Sequence, residues 1–161
     1  MKKVEIGTRA PDFTAYASNG KQIKLSNFSG KNIVLYFYPK DMTSGCTKEA
    51  CDFRNAHTSF EGYDTVILGV SADPISSHQV FVQNYSLPFL LLTDDKYEIS
   101  EQYNAIRLVE TGTGMEKRIK RSTFLIDKDG YVIRSWEDVK VDGHIEEILS
   151  DLNTLKSSIK I

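Results

Sequence analysis

Three short apolar runs, rich in β-branched, leucine and aromatic residues, constrain the fold of this chain more than any other feature. They lie at Ile33–Tyr38, Thr65–Ala72 and Phe89–Thr93. Each run is apolar throughout rather than alternating, as expected of strands that are buried on both faces of a sheet. Segments with the apolar spacing of helices alternate with them, at roughly residues 46–60, 76–85 and 97–104. This alternation predicts that the runs are the central strands of an α/β sheet.

Two hairpins flank these runs. The first spans residues 12–25 and turns at Asn19-Gly20, which is the strongest short hairpin signal. The second joins Ser122–Asp127 to Tyr131–Trp136 and turns at Asp129-Gly130. Because the two strands of a hairpin are antiparallel, the sheet is expected to be mixed.

The chain closes with an amphipathic helix. Its apolar residues share one face, and they are Ile145, Ile148, Leu149, Leu152, Leu155 and Ile159. Asp142 is the expected cap of this helix. Strand–helix alternation followed by a hairpin and a helix predicts a central mixed β-sheet flanked by helices on both faces. This is the order of a thioredoxin-like fold with an extra N-terminal β-hairpin.

Length and composition exclude several classes of protein. The 161 residues suffice for a single domain, 1–161, and are too few to expect two. A net charge of −2 gives no reason to expect nucleic acid or an anionic membrane as partner. No apolar stretch approaches the ~20 residues that span a bilayer, and no signal-peptide core follows Met1. The expected location is therefore the cytoplasm.

The segment "PKDMTSGCTKEAC", Pro39–Cys51, holds both cysteines of the chain. In the helix predicted there, one face carries residues spaced by four and three, namely Cys46, Ala50, Phe53, His57 and Phe60. Cys46 begins this buried face at the first turn. Cys51 lies ~140° around the helix axis and points elsewhere, so the two thiols are expected in different environments. A chain of this size needs no disulfide staple, which leaves catalytic, metal-binding or inert roles for the pair.

The start of this helix favours a reactive sulfur. Unpaired backbone N–H groups and the positive end of the helix dipole stabilise thiolate over thiol at Cys46. Gly45 allows close approach of the backbone, Thr43 brings a hydroxyl to the same turn, and Pro39 ends the preceding strand. Each residue also has a structural explanation, since Thr43 could be an N-cap, Pro39 a strand terminator and Cys46 a small buried hydrophobe. These residues alone leave both interpretations open.

Pro39-Lys-Asp-Met-Thr43-Ser-Gly-Cys46 matches the P-x-x-x-T-x-x-C signature of the peroxiredoxins, and the wider segment resembles their Q-type subfamily. This subfamily is also known as bacterioferritin comigratory proteins or thioredoxin-dependent thiol peroxidases. Four further segments follow in the family's order: "APDF" at 10–13, "VILGVSAD" at 66–73, "LPFLLLTDD" at 87–95 and "RSTFLIDKDG" at 121–130. The chain departs from the subfamily at Ser44, where Pro is usual, and in Glu110–Lys120.

The resemblance implies a set of site residues. Cys46 corresponds to the peroxidatic cysteine, Cys51 to the resolving cysteine, and Thr43, Pro39 and Arg121 to the remaining active-site positions. It implies that hydrogen peroxide and organic hydroperoxides oxidise Cys46 to a sulfenic acid, which condenses with Cys51 to a disulfide. Thioredoxin or a similar thiol reductant would then reduce that disulfide. The resemblance implies no cofactor or metal, and it favours a monomer.

Arg121 and Glu49 also have structural explanations. Arginines that begin strands are usually solvated, and Arg118 and Arg134 lie nearby in the sequence, so only the family position favours Arg121. Glu49 occupies a family-favoured position, but an acidic residue early in a helix is explained by the helix dipole.

Three other functions compete with peroxide reduction. A thioredoxin-type reductant or isomerase would share the fold. That activity relies on two cysteines separated by two residues, a spacing that Cys46 and Cys51 do not have. A zinc module could be assembled from Cys46, Cys51 and His57, although a fourth ligand at conventional spacing is missing. A non-catalytic binding domain, redox-sensing or otherwise, would not need Thr43 and Cys46 together.

Overall fold

The three apolar runs form neighbouring strands in this computed structural model, which describes the backbone of residues 4–159 and the side chains of 4–156. The strands are β1 (Thr14–Ala17), β2 (Gln22–Lys24), β3 (Asn32–Phe37), β4 (Thr65–Ser71), β5 (Leu90–Thr93), β6 (Ile106–Thr111), β7 (Gly114–Ile119), β8 (Ser122–Ile126) and β9 (Val132–Trp136). The helices are α1 (Ser44–Asn55), α2 (His57–Gly62), α3 (Ile75–Tyr85), α4 (Glu98–Gln102) and α5 (His144–Ile159), with a 3-10 turn at Leu25–Phe28.

Seven strands form one mixed sheet in the order β2-β1-β5-β4-β3-β8-β9. The core is parallel, because β3 pairs with β4 and β4 with β5 in the same direction. The N-terminal hairpin joins one edge through β1, and β8 and β9 extend the other edge, all as antiparallel pairs. The predicted thioredoxin-like α/β fold with an extra N-terminal hairpin is confirmed.

Strand β3 separates two apolar cores because its side chains alternate between the faces of the sheet. Ile33, Leu35 and Phe37 enter one core, to which α4 contributes Ile99. Val34 and Tyr36 enter the other, together with Tyr38 directly after the strand. That second core is covered by the remaining four helices through Phe53, Phe60, Phe81 and Ile148. Cys46 belongs to the second core, so the helix that carries it packs directly on the centre of the sheet.

The single helix predicted at 46–60 is wrong, because two helices occupy this segment. Helix α1 begins two residues earlier, at Ser44, and ends at Asn55, and α2 starts at His57. Ala56 separates them with φ −99° and ψ 5°, outside the α-helical region, directly after Asn55, a poor helix former. The break removes His57 from the apolar face. Its side chain is 26% exposed and pairs with Glu61, while the other four members of the stripe are buried.

Other boundaries differ from expectation. Helix α4 is shorter than predicted. Helix α5 begins at His144, which puts Gly143 rather than Asp142 at the N-cap position. The Asp142 carboxylate instead lies 3.1 Å from Lys48 Nζ on α1. The apolar face of α5 is buried or partly buried as predicted up to Leu155, and the side chain of Ile159 lies outside the described residues.

The β6–β7 hairpin forms a separate two-stranded sheet that the sequence did not predict. One face of this hairpin carries Ile106, Leu108, Met115 and Ile119, and the other is mostly polar. Val109 and Lys117 interrupt the alternation along the two strands, so the pattern of a half-buried strand is weak. None of the helices in the described part of the chain is long and apolar enough to cross a membrane.

Candidate active site

Cys46 is the third residue of α1 and is 1% exposed. The first hydrogen bond within the helix runs from Thr47 N to Thr43 O at 2.8 Å, so the N–H groups of residues 44–46 precede the helical ladder. Thr43 has extended backbone geometry at the N-cap position. The sulfur is therefore buried against the sheet, at the helix end where unpaired N–H groups stabilise negative charge.

Arg121 lies against this sulfur. It immediately precedes β8, the antiparallel neighbour of β3, and its Nη2 donates to Cys46 Sγ at 3.3 Å. Its Nη1 donates to Glu49 Oε1 at 2.6 Å. A Cβ on Gly45 would lie 3.3 Å from Nη2, so the glycine leaves the guanidinium room beside the helix. One planar fork thus spans the thiol and the carboxylate, two groups three residues apart on one helix face.

Glu49 is almost completely buried, at 1% exposure. Burial raises the pKa of Glu49 to about 7, although the adjacent Arg121 charge opposes that shift. Burial alone would lower the pKa of Arg121, but the charges of Glu49 and Cys46 outweigh it and raise the pKa. Glu49 is in the second turn of α1, where the helix dipole does not explain a buried carboxylate. The dipole explanation of Glu49 is therefore wrong.

The two competing arginines lie elsewhere. Arg118 is 49% exposed and pairs with Glu116, two residues earlier on the same strand β7. Arg134 packs over the Trp136 ring at 4.6 Å and pairs with Asp151 on α5. Of these three arginines, Arg121 is the one that contacts Cys46.

Pro39 and Thr43 lie in the loop between β3 and α1, and both are exposed. Thr43 occupies the N-cap position, but its side chain makes no cap hydrogen bond. Its hydroxyl instead donates to the carbonyl of Lys40 at 3.0 Å. That contact fixes the hydroxyl rotor and leaves the oxygen lone pairs directed away from Lys40.

Between these two exposed residues the loop carries Asp41, which is buried and which the sequence did not single out. Its carboxylate binds three side chains, Tyr38, Ser77 and His78. His78 is on α3 and is fully buried. The only sequence signal is a histidine directly after a serine near the start of an amphipathic helix, which does not distinguish a buried network from a surface residue.

Cys51 lies on the same helix as Cys46 but is only partly buried, and both cysteines are free thiols. The prediction that the two thiols occupy different environments is confirmed. In an intact helix, Cα atoms five residues apart are ~8.6 Å from each other. A disulfide usually needs about 4.4–6.8 Å between Cα atoms, so this conformation keeps the thiols apart.

The zinc alternative depended on Cys46, Cys51 and His57. Among the described residues, no group of three His, Cys, Asp or Glu side chains is arranged to hold a metal ion. His57 begins a different helix and pairs with Glu61.

Comparison with known proteins agrees with this site. Residues 6–135 match the family model described as the AhpC/TSA family. Peroxiredoxin Bcp of Bacillus subtilis (strain 168) is 48% identical over 152 residues, which cover 94% of this chain and 97% of that protein.

Two solved structures from Xanthomonas campestris superpose closely. One is peroxiredoxin Q, with a TM-score of 0.86 at 34% identity, covering 94% of this chain and 96% of that one. The other, with a TM-score of 0.86 at 33% identity and the same coverage, is a bacterioferritin comigratory protein described for its alkyl peroxide reduction activity. The chain therefore belongs to the AhpC/TSA family, as a peroxiredoxin of the Bcp and Q type.

Proposed function

We propose that this peroxiredoxin reduces peroxides with Cys46 as the nucleophile and Cys51 as the resolving cysteine. The observation that carries the assignment is the contact of Arg121 Nη2 with Cys46 Sγ at 3.3 Å, in a site where the sulfur is 1% exposed. A permanent cation at that distance favours the thiolate, which is the reactive form of cysteine.

The peroxide step is a displacement on oxygen. The Cys46 thiolate attacks one oxygen of the hydroperoxide, the O–O bond breaks, and the other oxygen leaves as water or an alcohol after gaining a proton. The sulfur is thereby oxidised to a sulfenic acid. Negative charge builds on the departing oxygen, where Arg121 and the free N–H groups of the first helical turn supply preorganised donors. In this cycle Thr43 Oγ1 acts first as an acceptor, because its own proton is donated to Lys40.

The resolving step joins the two cysteines. The Cys51 thiol attacks the Cys46 sulfenic acid, a disulfide forms, and water leaves. Both residues lie in α1, so the helix must open locally between them. A dithiol reductant of the thioredoxin type then exchanges with the disulfide and returns both thiols.

The substrate range includes hydrogen peroxide and organic hydroperoxides. In the loop that leads into α1, Pro39 and Thr43 are exposed and Met42 is 43% exposed. An alkyl group that extends toward this loop would meet solvent-exposed side chains. The alkyl peroxide reduction described for the Xanthomonas campestris relative supports the same range.

We assign the protein to the cytoplasm as a monomer of one domain. Each cycle needs Cys46 and Cys51 returned to thiols, which a reducing compartment supports. Most of the exposed large apolar side chains lie on separate elements, such as Tyr16 on β1 and Val80 on α3, whereas Leu108 and Met115 share one face of the β6–β7 hairpin. Scattered residues of this kind do not form the apolar face of a stable dimer.

Steady-state peroxide consumption tests the proposal. We expect turnover of hydrogen peroxide and of an alkyl hydroperoxide with thioredoxin and its reductase, and slower turnover with glutaredoxin. Consumption that does not scale with protein concentration would refute the function, and faster turnover with glutaredoxin would reassign the reductant. Sedimentation velocity should give a mass near 18.2 kDa.

A further inference from the structure

The loop between β3 and α1 is anchored to the rest of the protein by one buried residue, Asp41. Four of the five residues from Pro39 to Thr43 are exposed, whereas the Asp41 side chain is 1% exposed. Met42 has a left-handed backbone, with φ 62°, which is costly for a residue that is not glycine. A short loop with a strained residue keeps a single conformation only where strong contacts hold it.

Asp41 supplies those contacts. Its Oδ1 accepts from the Tyr38 hydroxyl at 2.6 Å, and its Oδ2 accepts from the Ser77 hydroxyl at 2.8 Å and contacts His78 Nδ1 at 2.7 Å. Its backbone N–H donates to Asp73 Oδ2 at 2.7 Å. Both the main chain and the side chain of this one residue are therefore bound to the end of β3 and to the segment leading into α3.

Each ring nitrogen of His78 has a partner. Nε2 lies 3.0 Å from the carbonyl oxygen of Leu92 on β5, which can only accept, so Nε2 is the donor of that hydrogen bond. Nδ1 lies 2.7 Å from Asp41 Oδ2 and 3.4 Å from the Tyr38 hydroxyl. His78 is thus a rigid bridge from β5 to the loop, in a site with 0% exposure where water does not compete for either hydrogen bond.

We propose that His78 is a positioning residue for the peroxide step. Through Asp41 it holds the loop that carries Pro39 and Thr43 against α3, and it keeps that loop in place while α1 opens beyond Ser44. The inference rests on the proposed function and adds to it a loop that stays fixed directly before the part of α1 that opens. Upstream, the chain is bound to α3 and β5. Downstream, Arg121 binds Cys46 in the first turn of α1 and Glu49 in the second, and both residues lie in the stretch that opens.

Two substitutions of His78 separate its two hydrogen bonds. In His78→Asn the amide overlaps the position of Nδ1 and retains a donor to Asp41, whereas in His78→Gln the longer side chain reaches the position of Nε2 and retains the donor to Leu92. Each variant loses one buried hydrogen bond, so the pair is matched for general destabilisation. Rates are compared below the melting midpoint of both variants.

The second-order rate of Cys46 with peroxide should fall about 10²-fold in His78→Gln, because misplacement of a loop by about 1 Å costs this much. In His78→Asn it should fall less than about tenfold. Alkylation of Cys46 by iodoacetamide, which needs the thiolate but not the loop, should change less than about twofold in either variant. Ser77→Ala removes one donor at a partly buried site and should slow the peroxide step by a smaller factor.

Hydrogen exchange of the Asp41 amide measures directly whether the loop is held in place. The amide of Asp41 should stay protected in both redox forms of the wild type and in His78→Asn, and lose protection in His78→Gln. Equal peroxide rates in the two variants, or alkylation that falls in step with peroxide reaction, would overturn the proposal. Wild-type protein that consumes no peroxide would refute the proposed function instead. The Asp41 amide would even then decide whether His78 holds the loop.

Discussion

The two cysteines lie on one helix, yet the two sides of that helix on which they lie differ in burial and in charge. The first turn of α1 packs into the core between sheet and helices, where Cys46 contacts the Arg121 guanidinium. Further along, Cys51 lies on a partly exposed side. The thiols are of the same chemical type and differ by ~140° around one axis. Rotation around a helix is therefore sufficient to give one thiol a charged, buried environment and the other access to solvent.

The contrast matches the two steps of the proposed cycle. A displacement on peroxide benefits from fixed donors and a sulfur that does not move. Disulfide formation instead requires two sulfurs to approach across a distance that an intact helix does not allow. Arg121 holds Cys46 on the buried side of α1, and Cys51 is on the less buried side of the same helix.

The largest effect is expected when each cysteine in turn is replaced by serine. Cys46→Ser should abolish peroxide consumption, because a hydroxyl does not ionise in this site at neutral pH. Cys51→Ser should still consume one equivalent of peroxide at the wild-type rate and then stop before disulfide formation. Rapid-mixing kinetics with intact mass spectrometry distinguishes the two. If Cys46→Ser kept its activity while Cys51→Ser lost the first equivalent, the two roles would have to be exchanged.

The next largest effect is expected at Arg121, whose guanidinium contacts Cys46. Arg121→Lys keeps the charge but cannot contact Cys46 and Glu49 with one fork, so the peroxide step should slow by roughly 10- to 10²-fold. Reduction of the disulfide should be unchanged. The matched control is Arg118→Lys, on an exposed strand, which should leave the rate unaltered. A larger loss in Arg118→Lys than in Arg121→Lys would show that the wrong arginine was chosen.

Hydrogen exchange on the two redox forms sharpens the contrast within α1. Oxidised protein should lose protection roughly tenfold or more around residues 46–55, because a disulfide between residues five apart opens the helix, while the central strands stay protected. The reduced form should show a protected α1. Equal protection in both forms, with the Cys46–Cys51 bond verified by mass spectrometry, would refute local opening.

The smallest effect concerns the proton on the buried Glu49 carboxyl group and its influence on stability. Since the pKa of Glu49 rises from 4.5 to about 7 on folding, the folded state binds a proton more tightly than the unfolded chain. This contribution to stability is complete below about pH 4.5 and is lost as pH rises to about 7. Glu49→Gln should remove that slope, which amounts to about 1 to 3 kcal/mol of unfolding free energy.

Urea unfolding at several pH values measures this difference. Glu146→Gln, on the exposed side of α5, is the control and should follow the wild-type curve. A Glu49→Gln curve parallel to the wild type between pH 4.5 and 7 would mean that Glu49 is ionised throughout this range.

Strong local patterns predicted most of the fold. The β3, β4 and β5 strands were apparent as apolar runs, and Asn19-Gly20 and Asp129-Gly130 marked the hairpin turns. The β6–β7 hairpin was missed because Val109 and Lys117 interrupt the apolar–polar alternation of its two strands. The break at Ala56 was missed because the apolar spacing continues across it to Phe60.

The candidate site was predictable where its residues are close in sequence. Pro39, Thr43, Cys46 and Cys51 were all predicted from one segment, and the contact of Arg121 with Cys46 supports the choice of Cys46. Glu49 could have been identified as a partner, because position i+3 from Cys46 lies on the same buried face, yet its charge was attributed to the helix dipole. The contact between Asp41 and His78 joins residues 37 positions apart, and no local pattern in one sequence encodes such a contact.

The fork of Arg121 has a consequence for how the protein is recognised. Its two nitrogens bind Cys46 and Glu49, and both of these residues lie on the stretch of α1 that the proposed disulfide would require to open. In that cycle, opening would separate both partners from the guanidinium, so that Arg121 and the buried Glu49 carboxylate would become more exposed beside the disulfide. A reductant would then meet a different pattern of charge on the oxidised and the reduced protein.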